Sequence, residues 1–298
     1  MMMKRAQMLL LLLAVLGLLT LSMASCGGGE EDDDLAEDDA SPAESAGAKY
    51  TPSGNEGTVT GTIAFTGAVP EPISISMDAD ATCGAANPNA VVEDVVVKDG
   101  KLGNVFIYVK DGKTADGGKN IANLTFDVPT ETKTLDQKGC HYTPHVIGVM
   151  VGQKLSVTNS DKTSHNVNVQ AKSNPQFNQS QTTGAPPIEK TFVRAETLIP
   201  VKCQVHPWMK SYIGVVKHPF HAVSGEDGTY EIKGLPAGTY TLVAWHEKLG
   251  EKTQSVTVGA KESKAQDFSF GGGATTSLQP GGSFEMLPAL DLPMLGGH

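Results

Sequence analysis

Helical signal is missing from most of this chain. After residue 50 no stretch keeps apolar residues at helical spacing over three turns, so the core cannot be drawn from a helical bundle. Clustered positive charge is missing too. Lys and Arg number 23 against 33 Asp and Glu, with no basic cluster, so no nucleic-acid partner is expected. The apolar run at residues 8–21 is too short and too near the N-terminus to be a span of a multipass membrane protein.

What is there begins with that run. Lys4 and Arg5 precede it, which makes residues 1–25 a basic segment followed by an apolar one, the pattern of a secretory signal peptide. Met23-Ala24-Ser25-Cys26 resembles the lipobox of bacterial lipoproteins. The resemblance implies cleavage before Cys26 and diacylation of that cysteine. The chain would then be anchored by lipid to a bacterial membrane in the cell envelope, facing the periplasm or the exterior. Nine acidic residues crowd between Glu30 and Glu44. Such an apolar-poor, like-charged run cannot bury enough surface to offset its ordering entropy, so residues 26–56 are expected to form a disordered acidic tether. Residues 51–298 keep 24 acidic and 20 basic side chains and are only mildly acidic.

From residue 57 the text alternates and favours β-branched residues, at 57–65, 91–97, 104–109, 154–158, 166–169, 213–216, 229–232, 239–244 and 254–258. Gly, Pro, Asn and Asp separate these segments, which predicts an all-β fold of sandwiches. Residues 226–244, with Asp227-Gly228-Thr229-Tyr230 and Leu235-Pro236-Ala237-Gly238-Thr239-Tyr240, resemble the carboxypeptidase regulatory-like (transthyretin-like) β-sandwich module. The predicted partition is a metal-bearing domain at 57–217, that module at 218–270, and a flexible tail at 271–298. Because 53 residues are short for a sandwich, the strand 57–65 is expected to cross over and complete the module.

Chemistry concentrates in one loop. Cys203, His206 and Met209 follow one another as Cys-x2-His-x2-Met, leading directly into a strand, and His165 stands upstream at a strand–loop junction. Thiolate, two imidazoles and a thioether form the ligand set of a blue-copper electron-transfer site. The soft donors stabilise Cu(I) while the imidazoles suit Cu(II). Zinc held by His165, Cys203 and His206 is an alternative that leaves Met209 unused. A cysteine nucleophile activated by histidine is another, without an obvious orienting group. A binuclear copper centre would need a second cysteine in the loop.

The loop Cys203, His206, Pro207, Trp208, Met209, with His165-Asn166-Val167 before it, resembles that of the amicyanin/plastocyanin-like cupredoxins over residues 137–216. The resemblance implies a cupredoxin Greek-key sandwich holding one type 1 copper ion that cycles between Cu(I) and Cu(II). It implies one-electron transfer between a redox donor and acceptor, with no enzymatic activity and no small-molecule substrate. Copper handling, or a cell-envelope scaffold with structural metal, are the other functions considered. By the same resemblance Asn166 bonds to the cysteine loop, and His206 presents its ring edge to the surface in an apolar docking patch with Pro207 and Trp208. Where amicyanins have proline, Val205 keeps an N–H expected to donate to the Cys203 sulfur. Cys83 and Cys140 remain as an even pair in an oxidising compartment, for which a disulfide is the default. His141, His145, His218, His221 and His246 are expected to pack or hydrogen-bond without holding metal.

Overall fold

The computed structural model describes residues 47–272. The signal segment 1–25, Cys26, the acidic run and the tail from residue 273 lie outside the described residues. Within them the protein is all-β, with a single α-helix, Ala81–Ala86.

Strand alternation builds one sandwich from residues 133–216. A four-stranded sheet runs in the order Ile188–Thr191, Lys154–Asn159, Lys133–Lys138, His141–Thr143. A five-stranded sheet faces it in the order Phe177–Gln181, His165–Val169, Glu196–Lys202, Lys210–Val216, Val146–Met150. Leu135, Leu155 and Val157 from the first sheet meet Val167, Val169, Ile199, Val201 and Ile213 from the second in one buried core. Each comes from alternate positions of its strand, as a half-buried pleat requires.

A second sandwich is built around Gly57–Gly67. That strand pairs antiparallel with Thr229–Leu235 and parallel with Ser263–Ala265 and Phe268–Gly272. The opposing sheet runs His221–Val223, Phe106–Thr114, Gly238–His246, Gly250–Val258. Val59, Ile63, Phe65, Phe268 and Phe270 pack on Ile107, Val109, Leu242 and Val256 between the two layers.

Three predicted boundaries are corrected. Phe106–Thr114, assigned with 57–217 to the metal-bearing domain, is hydrogen-bonded between His221–Val223 and Gly238–His246 in the second sandwich. Alternation identifies a strand but carries no information about its partner. The tether is ordered at its end, because Ala48–Lys49 pairs with Leu124–Thr125 and the Tyr50 ring packs 5.4 Å from that of Phe126. Gly271 and Gly272, placed in the tail, end the strand Phe268–Gly272.

The sandwiches join through the outer face of the five-stranded sheet. All of Val146–Met150 is buried, a continuous apolar run of the kind seen where both faces of a strand are covered. Gly148 and Gly214 stand side by side in register there. A Cβ on Gly214 would lie 2.5 Å from the Phe106 ring, and one on Gly148 only 2.3 Å from His221. The two glycines therefore make the flat spot onto which Phe106 docks. Beside them His145, Lys210 and Tyr212 converge on the buried carboxylate of Glu247. Against the cost of burial, the His145 hydrogen bond and Lys210 hold that carboxyl below its usual range.

Candidate metal centre

The site stands at one end of the five-stranded sheet. Glu196–Lys202 pairs with His165–Val169 on one side and with Lys210–Val216 on the other, Lys202 facing both Asn168 and Lys210. The loop 203–209 is therefore a connection between neighbouring antiparallel strands, and His165 sits at the end of the adjacent one. Two backbone bonds hold the loop, Cys203 N–H to the Met209 carbonyl at 3.1 Å and Met209 N–H to the His206 carbonyl at 2.9 Å. Asn166 Oδ1 accepts the Gln204 N–H at 3.0 Å, tying the loop to the neighbouring strand.

Three predicted donors converge. His165, Cys203 and His206 bring one ligand atom each within 4.8 Å of one another. The two Nδ1 atoms face each other at 2.9 Å, and His206 Nδ1 lies 3.9 Å from the Cys203 sulfur. All three residues are at most 3% exposed. Met209 is fully buried in the same apolar cluster as Cys203, and its backbone closes the loop.

The outer nitrogen of each ring meets a carboxylate. His165 Nε2 lies 2.8 Å from Asp161 Oδ2 and His206 Nε2 lies 3.2 Å from Asp80 Oδ2. An ionised carboxylate only accepts, so each Nε2 donates to its carboxylate and Nδ1 is the ring nitrogen left facing the thiol. The Asp80 carboxyl is held down at about 2, chiefly by a hydrogen bond from the Thr163 hydroxyl. Burial pushes His165 below the usual imidazole range despite Asp161. Two ring nitrogens and a thiol brought this close together are an arrangement that a shared cation can bridge. The donor set fits a soft or borderline metal ion.

Asp161 is fixed in turn by a tight hairpin. Gly139 and Cys140 form the two-residue connection between Lys133–Lys138 and His141–Thr143, both with positive φ (63° and 57°) as such a turn demands. Their N–H groups donate to the two Asp161 oxygens at 2.7 and 2.8 Å. Cys140 is disulfide-bonded to Cys83, with the Cα atoms 5.6 Å apart. The Trp208 indole N–H donates to the Cys140 carbonyl at 3.1 Å, and its ring lies 5.1 Å from that of His206.

Two expectations for the loop are corrected. His206 does not reach the surface: it is 2% exposed, because Asp80 and Cys83 from the helical segment lie over its outer edge. Pro207 is exposed and Trp208 half-buried, so no ligand ring stands between them as a docking point. The N–H that bonds to the Cys203 sulfur is that of His206, at 3.4 Å. The Val205 side chain points to solvent, and among the described residues no hydrogen bond links Val205 to the sulfur. Asp80 and Asp161 were not singled out in the sequence. Asp161 carries a local signal, four residues before His165, whereas Asp80 lies 126 residues from the ring it meets.

No protein-family model and no curated protein matches the chain. Among solved structures it is similar to a copper-containing nitrite reductase (NirK) from Thermus scotoductus SA-01, at 20% identity over 30% of this chain and 23% of that one, TM-score 0.27. It is similar to amicyanin from Paracoccus versutus (Thiobacillus versutus) at 19% identity over 37% of this chain and 96% of that one, TM-score 0.26. A purple cupredoxin from Nitrosopumilus maritimus gives 19% identity over 28% of this chain and 98% of that one, TM-score 0.24. These likenesses are partial, each with a TM-score below 0.3. They also correct one expectation. The reductase is an enzyme, and the expectation of a chain without enzymatic activity is set aside.

Proposed function

We propose that this chain would hold one copper ion through His165 Nδ1, Cys203 Sγ and His206 Nδ1, with the Met209 thioether as a further donor, and pass single electrons in the cell envelope. The observation that carries this is the meeting of a buried thiol and two inward-facing imidazole nitrogens on neighbouring strand ends. A copper ion bound there supplies a one-electron couple. The protein's own contribution is rigidity. The closed 203–209 loop, the Asn166 bond to Gln204 and the Asp161 bond to His165 fix each donor before metal arrives, so little has to move on reduction. The His206 N–H bond to the Cys203 sulfur draws charge from the thiolate and favours the reduced state. Burial of all three donors suits a resident ion better than cargo for delivery. The resemblance of residues 226–244 to the carboxypeptidase regulatory-like module, and of residues 23–26 to a lipobox, supports a lipid-anchored envelope protein with an accessory sandwich.

The test is reconstitution of the protein with Cu(II). One ion per chain, an intense visible thiolate-to-copper band and reversible bleaching by one electron are expected. Colourless protein, or reduction that releases the metal, would overturn the assignment.

A further inference from the structure

Asp80 divides its carboxylate between two tasks. Oδ1 accepts the backbone N–H groups of Thr82 and Cys83 at 2.8 and 3.2 Å and so caps the helix Ala81–Ala86. Oδ2 accepts the Thr163 hydroxyl at 2.6 Å and lies 3.2 Å from His206 Nε2. The segment that carries Asp80 is secured independently of it. Cys83 is bonded covalently to Cys140, and the Asn87 side-chain amide donates to the Gly139 carbonyl at 2.7 Å. Both ties end on the turn that also grips Asp161. The carboxylate is thus delivered to the outer edge of His206 from a distant part of the chain.

We propose that Asp80 is a positioning residue for His206. By accepting the Nε2 proton it fixes the ring's tautomer and turns Nδ1 toward Cys203 and His165, while its segment covers the ring edge. The inference rests on the metal reading above, since it concerns which nitrogen is offered to the ion. A carboxylate behind a ligating imidazole also makes that imidazole more basic and stiffens its orientation. Its negative charge favours the more highly charged Cu(II) form. Asp80 therefore acts against the sulfur-directed N–H bond of His206, which favours Cu(I).

The experiment compares the full chain with Asp80→Asn, Asp80→Ala and Thr163→Val. Two readouts are taken: the His206 tautomer from imidazole 15N shifts of the metal-free protein, and copper affinity by competition with a chelator. The metal-free wild type is expected to carry the His206 proton on Nε2. Asp80→Ala is expected to mix the tautomers and raise the copper Kd about 10–100-fold. Asp80→Asn retains Oδ1 for the helix cap and is expected to move both readouts in the same direction, while Thr163→Val is expected to shift them a few-fold less. If Asp80→Ala fails to fold, the other two variants decide. A wild-type His206 protonated on Nδ1, or tautomers and affinities unchanged across the folded variants, would overturn the role of Asp80. A wild type with the Nε2 tautomer that takes no copper would instead remove the copper reading and leave the positioning role standing.

Discussion

Both sandwiches bury imidazole rings among strands, but they answer those rings differently. In the sandwich built on residues 133–216, His165 and His206 turn one nitrogen toward a thiol and the other toward a carboxylate. Of the rings on the other side, His218 bonds a single carbonyl, that of Val109 at 2.9 Å, and stacks 5.4 Å from Phe220. His246 accepts one backbone N–H and lies against Phe270, while His221 tilts against Phe106. Among the described residues these three belong to no cluster of metal-ligating groups. Burial of histidine therefore does not make a site. What sets the candidate site apart is that two rings meet a thiol and each has a carboxylate behind it.

The contrast can be broken most sharply at Cys203. Cys203→Ser removes the thiolate and is expected to abolish the visible copper band completely, whereas His246→Gln in the second sandwich should leave it intact. Loss of the band in both variants, read by absorption spectroscopy of the copper-loaded proteins, would show that the sandwiches do not divide the work this way.

Acid should act first on the rings that have no carboxylate behind them. Burial pushes His218, His221 and His246 down to about 4 from an unperturbed 6.5. Between those values the unfolded chain takes up protons that the folded one refuses. Stability is therefore full above about pH 6.5 and falls as pH drops toward about 4, by on the order of 2–3 kcal/mol per ring. Urea unfolding at a series of pH values checks this, and a flat profile across that window would contradict it.

A smaller effect is expected at the seam. Gly214→Ala places a methyl against the Phe106 ring and should cost about 1–3 kcal/mol through overpacking. The thermal midpoint of the variant should fall while its copper band is retained. A loss of band at unchanged stability would mean that the seam tunes the centre directly.

Much of this was legible in the residues. The strands announced themselves by alternation, as at 154–158, where Leu155 and Val157 point inward. The Cys-x2-His-x2-Met loop pointed to Cys203 and His206, two of the three groups that the fold brings together with His165. What escaped was everything that depends on distant pairing. Asp80 reaches His206 across 126 residues and His145 meets Glu247 across 102, and neither pair leaves a local pattern. The cover over His206 escaped for the same reason. A loop motif fixes which atoms can bind metal but not which segment lies across them. The segment 104–109 read as a strand, and the structure extends it to Phe106–Thr114 in the other sandwich, because period-two alternation is the same in either.

The most direct test of the account is X-ray absorption at the copper edge on the loaded, full-length protein. It should show one ion per chain with a single short sulfur contact and two imidazole nitrogens. Copper surrounded only by nitrogen and oxygen, with the Cys203 thiol still open to a thiol reagent, would contradict it.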